Sequence, residues 1–309
     1  MDFENLLQIL VTAIVQGITE FLPISSSGHL FFINELFSWK DINLTLIVAA
    51  HLGTLFAVTN YFWEDCKKYF LLGPLEIFSK KKTFNFNLFL NLFYSSIPII
   101  ILGAFLKFYK INYIYHSWLI ACSAIIFSLL LFFSDKNKTT KKLDDISFKD
   151  SFIIGIFQIF ALIPGSSRTG VCITAARFLG FNRICAVKYS MYLSIPAISG
   201  ATFLMFFDII KQNSFFLWIE VISVFFLSFL FAYFTISFFI KLLKKINFKI
   251  FVIYRIIVAL SFLILFNSLS GKSMSKTLWK YSAIMDLSFS SHLFKKVNLN
   301  ENIKSPKIL

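Results

Sequence analysis

The amino-acid sequence predicts an all-α, polytopic membrane protein built as an inverted repeat of two halves, each a re-entrant helical hairpin plus three transmembrane helices. Three observations carry this expectation. Of 309 residues, 57% are hydrophobic and the mean hydropathy is +0.75, above the roughly 45–50% apolar content of ordinary soluble domains. Six apolar segments approach or exceed the ~20 residues that a spanning helix needs. Two further apolar stretches are each broken midway by a proline followed by small polar residues.

The first broken stretch opens the chain: residues 5–22 enter, Pro23-Ile24-Ser25-Ser26-Ser27-Gly28 interrupt, and 24–38 return. Backbone that leaves a helix at membrane depth has unpaired amides, so it must line a cavity inside the protein rather than face lipid. Hence a re-entrant hairpin is expected, followed by spans at about 44–62, 88–106 and 116–133. The second break, Pro164-Gly165-Ser166-Ser167-Arg168-Thr169-Gly170, makes a second hairpin from 151–163 and 165–180, followed by spans at 185–207, 215–240 and 250–269. The breaks align with Pro23 on Pro164, Ser25 on Ser166 and Ser26 on Ser167. Three spans is an odd number, so the second half must be inverted and the two hairpins meet near the midplane. One integral domain over 1–270 results, with repeats of about 1–133 and 151–270 and a polar, basic tail over 271–309.

The formal charge of +14 does not indicate nucleic acid, because the lysines separate apolar runs instead of studding an aromatic face. They report topology. Loops 63–87, 134–150, 177–188 and 241–249 hold seventeen Lys and Arg, against four on the other side at Lys40, Lys107, Lys110 and Lys211. Positive loops stay cytoplasmic, which turns both termini and the first hairpin outward, although the tail adds seven lysines on that side. The first segment lacks a basic leader and a cleavage signature and is expected to persist. Cys66, Cys122, Cys172 and Cys185 form neither a C-x-x-C pair nor a zinc pattern.

Ionisable residues at membrane depth are functional candidates by default: Glu20, His29, His51, Arg168, Glu220 and Arg255. Gln16 and Glu20 share a helix face before the first break. Ser26 and His29 share one after it, as a nucleophile and base would, while Ser25 to Ser27 could equally cap the helix. In the second hairpin, Gly165, Ser166 and Ser167 open a helix whose free amides favour an anion, and Arg168 and Thr169 follow. The Arg168 fork suits two phosphate oxygens, or it pairs with Glu20. His51, in Ala49-Ala50-His51-Leu52-Gly53-Thr54, divides evenly between site and helix packing. Arg255 is expected to snorkel and Glu220 to lie near a span end, both outside the chemistry.

The run Gln16-Gly17-Ile18-Thr19-Glu20-Phe21-Leu22-Pro23-Ile24-Ser25-Ser26-Ser27-Gly28-His29 resembles the first signature of the bacterial undecaprenyl-diphosphate phosphatases, also called bacitracin-resistance proteins. Pro164 to Gly170 resembles their second, and the likeness continues through His51-Leu52-Gly53-Thr54, Phe157-Gln158 and Tyr254-Arg255. It implies a multi-pass enzyme of the bacterial cytoplasmic (inner) membrane, whose site the positive loops turn to the outer side. That enzyme hydrolyses undecaprenyl diphosphate to undecaprenyl phosphate, recycling the lipid carrier for peptidoglycan and resisting bacitracin. By position, Glu20, Ser26, His29, Ser167 and Arg168 match family residues tied to activity, and Gln16 stands where the family has Glu or Gln. Cys172 occupies a usual Thr position, which a nearby Thr174 would have to replace, and Lys188 stands where relatives are often acidic.

The expected mechanism has Arg168 and the second helix N-terminus holding the diphosphate while Ser26 attacks phosphorus. His29 takes the serine proton or later activates water, and Glu20 orients it or helps to hold magnesium or calcium, with a covalent phosphoserine and a positioned water both left open by the spacing. Ser25, Ser27, Gly165, Ser166, Ser167, Thr169, Gln16 and His51 are expected to line the phosphate site. The partners expected are the polyprenyl diphosphate and membrane lipid, with no nucleic acid and with room for a homodimer. A transporter or flippase of polyprenyl phosphate is the competing expectation, since the same architecture serves alternating access.

Overall fold

The computed structural model describes residues 3–37, 39, 44–78, 83–108, 117–137, 139–210 and 215–269. The tail over 271–309 lies outside them, as do Lys40, Lys80, Lys81, Lys82, Lys110, Lys138 and Lys211 of the topology count. The described chain is helical: α1 Phe3–Thr19, α2 Ser26–Leu36, α3 Leu44–Tyr61, α4 Phe84–Phe108, α5 Ser117–Asp135, α6 Phe148–Gln158, α7 Arg168–Phe178, α8 Arg183–Ile210, α9 Phe215–Leu242 and α10 Lys249–Leu269. Short helical turns link α3 to α4. A single isolated bridge, Lys141 to Phe181, is the extended pairing recorded among the described residues.

Each of the six expected spans is a helix. Phe84–Leu106, Trp118–Asp135 and Trp218–Leu242 are long and apolar enough to cross a membrane on those criteria alone. α9 shows what such a helix does with its surface. Phe226, Phe234 and Phe238 are each 62% exposed, while Val224, Ala232, Ile236 and Phe239 on the same helix are fully buried. A helix apolar on both its buried and its exposed side is solvated by hydrocarbon, not water.

The helices pack as a crossed arrangement around the two breaks. α1 and α3 lie on α9, α4 lies on α6 and α8, α5 lies on α10 and α7, and α8 also touches α3 and α7. Close approach depends on residues without side chains. A Cβ on Gly53 would come within 2.3 Å of the Phe225 carbonyl of α9, and one on Gly155 within 2.4 Å of the Ser95 carbonyl of α4. The core between them is aromatic and aliphatic, with Phe21, Leu92, Leu131, Tyr192 and Phe239 excluded from solvent.

After α3 the helix axis turns by 87°. At this turn Lys188 of α8 sits 3.8 Å from the Asp65 carboxylate, and Tyr192 donates a hydrogen bond to the same group. The basic residue at 188 thus meets an acid from the other half of the chain.

Candidate functional site

Both breaks form by the same local device. α1 ends at Thr19 and α6 at Gln158, the latter tightening into a 3-10 turn over Ile159–Leu162. The chain then turns and starts a new 11-residue helix behind a serine N-cap: Ser25 before α2 and Ser167 before α7. Each cap residue holds a left-handed φ of 70°, a conformation that costs a non-glycine residue about 1–3 kcal/mol and concentrates at functional sites. Each cap hydroxyl accepts the amide three residues on, Gly28 at 3.3 Å and Gly170 at 3.2 Å.

This common geometry corrects the register expected from the prolines. Ser25 corresponds to Ser167, not Ser166, because the second turn contains an extra residue, Gly165, at φ 87°. A Cβ there would lie 2.4 Å from the Ile120 carbonyl, so the turn requires glycine. In the corrected register Ser26 corresponds to Arg168 and Ser27 to Thr169. The helix begins at Arg168, after the Gly165-Ser166-Ser167 run that was expected to open it.

Those corresponding first-turn residues converge on Glu20, which is 8% exposed. Arg168 Nη2 donates to Glu20 Oε1 at 2.6 Å, and Ser26 Oγ donates to Oε2 at 3.0 Å. Gln16 Nε2 also donates to Oε2, at 2.7 Å. It lies 3.0 Å from His51 Nδ1 as well, which places His51 in the site, 3.8 Å from the Glu20 carboxylate. Thr169 Oγ1 donates to the Glu20 backbone carbonyl at 2.9 Å, locking one break to the other. Ser25 and Ser27 hydroxyls are 3.1 Å apart.

The expected Ser26 to His29 pair does not form. His29 Nδ1 faces the Ser25 carbonyl at 2.7 Å, and its Nε2 faces the Tyr254 hydroxyl at 2.8 Å. Sharing a helix face places side chains side by side without fixing their partners, and Ser26 turns to the charged acceptor instead. Arg255 also departs from expectation. It is 2% exposed and donates to the carbonyls of Gly165 at 2.8 Å, Ser166 at 2.9 Å and Pro23 at 3.4 Å. These carbonyls leave helical pairing at the breaks, so a buried guanidinium supplies the donors they lack.

Several buried polar atoms around Glu20 have no protein partner: Arg168 Nη1, His51 Nε2, Ser166 Oγ and Gln16 Oε1. The first amides of α2 and α7 also lack intrahelical acceptors. Of the unpartnered side-chain atoms, Arg168 Nη1, Ser166 Oγ and His51 Nε2 can donate while Gln16 Oε1 only accepts, and such donors beside two helix N-termini suit an anion. A narrow groove lies beside the two breaks, lined by Ile24, Phe32, Ile120, Ala124, Val258 and Phe262 alongside Ser25, His29, Gly165 and Arg255.

A profile of the family described as "Bacitracin resistance protein BacA" matches residues 9–261 of the chain, spanning both breaks and Arg255. The chain belongs to the bacitracin resistance protein family. Family relatives align over 95–100% of their own length. The undecaprenyl-diphosphatase of Pelagibacter ubique (strain HTCC1062) is 39% identical over 269 residues, covering 86% of this chain and 100% of that protein. The undecaprenyl-diphosphatases of Hahella chejuensis and Alteromonas mediterranea are each 36% identical, covering 84% and 82% of this chain and 97% and 95% of theirs.

Within this chain, Cys172 is fully buried and its thiol lies 3.5 Å from Gln158 Oε1. Thr174 does not replace it, because its hydroxyl is turned back to the Gly170 carbonyl at 2.8 Å. Tyr254 and Arg255 are the site residues that residue-level reasoning left out. The available signal was an arginine within an apolar helix, which must find acceptors unless it reaches water.

Proposed function

We propose that the chain hydrolyses the terminal phosphoanhydride of undecaprenyl diphosphate, giving undecaprenyl phosphate and inorganic phosphate, and so recycles the carrier lipid of cell-wall synthesis. The observation that carries this reading is the convergence of Ser26 and Arg168, from two separate helix N-termini, on one buried carboxylate. The family and its undecaprenyl-diphosphatase relatives support it.

Arg168 holds Glu20 through Nη2 and keeps Nη1 for a phosphate oxygen. Arg168, the helix N-termini, Ser166 and His51 then spread the phosphoryl charge. Ser26 Oγ attacks the terminal phosphorus, its proton passing to Glu20 Oε2, the acceptor it already faces, and undecaprenyl phosphate leaves. Water then attacks the phosphoserine. His29 Nε2 takes a water proton, Glu20 returns its own to Ser26, and phosphate departs. This gives Glu20 the first proton transfer and His29 the second.

Both Glu20 oxygens are already engaged by protein donors, and no group of three or more His, Cys, Asp or Glu converges among the described residues. These side chains do not form a cage for magnesium or calcium, and no step here runs through an ion. An activity that EDTA abolishes and calcium restores would place the ion on Glu20 and substrate oxygens.

The crossed packing of α1 on α9 and α6 on α4, with the matched serine caps, supports an inverted repeat with two re-entrant hairpins. In that arrangement the positive loops lie in the cytoplasm of a bacterial inner membrane and the site opens outward. A homodimer is compatible with this reading, and light scattering in detergent measures it.

The test is phosphate release from undecaprenyl diphosphate in detergent, where there is no membrane to transport across. Wild type releases phosphate, and Arg168→Ala falls by at least about a hundredfold, as loss of a transition-state charge donor requires. Unchanged turnover in Arg168→Ala would overturn the assignment.

A further inference from the structure

His29 lines the apolar groove, and a residue of the last described helix contacts it. Tyr254 of α10 lies 225 positions from His29, yet their rings stack with centroids 5.5 Å apart and planes at 8°. The Tyr254 hydroxyl is 2.8 Å from His29 Nε2. Tyr254 is 42% exposed, so it sits at the rim and not in the core.

The tautomer follows from the partners. A carbonyl only accepts, so the 2.7 Å contact with the Ser25 carbonyl makes His29 Nδ1 the N–H. In the neutral ring Nε2 then carries the lone pair, and Tyr254 donates to it. The placement of Tyr254 is not left to a mobile side chain on a loose helix. Its neighbour Arg255 ties α10 to the Gly165, Ser166 and Pro23 carbonyls, holding the Tyr254 backbone against both breaks.

We propose that Tyr254 is the positioning residue for His29: it holds the groove-lining imidazole in the Nδ1–H tautomer with its hydroxyl on Nε2, and yields the Nε2 lone pair to the hydrolytic water when substrate fills the site. This rests on the hydrolase reading above. In the exchange, the Tyr254 O–H to Nε2 hydrogen bond is replaced by one from the water O–H. Nε2 takes the water proton as the water oxygen bonds to phosphorus, and Tyr254 stays protonated throughout.

Two measurements test the proposal in the full-length protein. The first is independent of turnover: histidine ring-nitrogen NMR of ¹⁵N-labelled protein in detergent, with His29 assigned by comparison with His29→Ala. Wild type shows His29 in the Nδ1–H tautomer, and Tyr254→Phe, which keeps the stacked ring, moves the Nε2 resonance. An Nε2 resonance unchanged in Tyr254→Phe overturns the proposal.

The second is a double-mutant cycle on phosphate release. Tyr254→Phe lowers kcat/KM about tenfold, because an imidazole no longer held in place must be ordered on the way to the transition state, and moves the limb of the pH–rate profile that His29→Ala removes. In the His29→Ala background the same substitution changes residual activity by less than about twofold. Losses that multiply in the double variant, or a limb that stays in place, overturn the proposal. If Arg168→Ala matches wild type, the hydrolase reading itself has failed. If Arg168→Ala is dead while Nε2 ignores Tyr254→Phe, only the role of Tyr254 has.

Discussion

Glu20 takes a cation on one oxygen and a hydroxyl and an amide on the other, which makes it the joint between the two halves of the site. A buried carboxylate is tolerated only with such partners, so the partners are as much a part of the site as the acid. Arg255 plays the complementary part for backbone acceptors. Arg255→Met keeps the length but leaves up to three carbonyls without their donor, at about 1–3 kcal/mol each. A lower melting temperature in detergent and a parallel loss of phosphate release are expected, and an unchanged melt would deny Arg255 this role. Cys172 should matter far less. It bonds Gln158, not Glu20 or Arg168, and a hydroxyl donates better than a thiol. Cys172→Thr is expected to hold or raise the melting temperature with phosphate release within about twofold of wild type.

At the scale of elements, the apolar runs and the two proline-serine interruptions were legible in the sequence, because span length and the exclusion of open backbone from lipid are local constraints. The register between the interruptions was not. Pro23 and Pro164 suggested one alignment, but Gly165 adds a residue at positive φ and slides the second cap by one. Nor could partner choice be seen: Ser26 lies three residues from His29 and six from Glu20, yet the turn at Pro23 brings the carboxylate to it. Tyr254 and Arg255 were hidden for the same reason, since their contacts span 89 to 232 positions.

Helix approach makes a separate prediction. Gly155→Ala drives a Cβ into the Ser95 backbone, 2.4 Å from its carbonyl oxygen, and backbone cannot yield as a side chain would. Overpacking of this kind costs about 1–3 kcal/mol. A lowered melting temperature is expected, together with reduced activity, because α6 carries the second break. Gly200→Ala is the control. No atom lies within 4 Å of its added Cβ, and alanine favours the helix by about 0.5–1 kcal/mol, so its melt should hold or rise.

For the whole molecule, neither half contains a complete site. The first contributes Glu20, Ser26 and His29, and the second contributes Arg168 and the amides of α7, while α10 binds the two breaks together through Arg255. Under the proposed function, the exposed apolar face of α9 and the apolar groove beside His29 suit a polyprenyl substrate dissolved in a membrane. The most direct measurement of this account is phosphate release from undecaprenyl diphosphate by purified wild type and Glu20→Gln under identical conditions. Glutamine keeps the shape and removes the charge and the proton acceptor, so release should fall by about 10²–10⁴-fold; release within tenfold of wild type would contradict the placement of Glu20 at the centre of the chemistry.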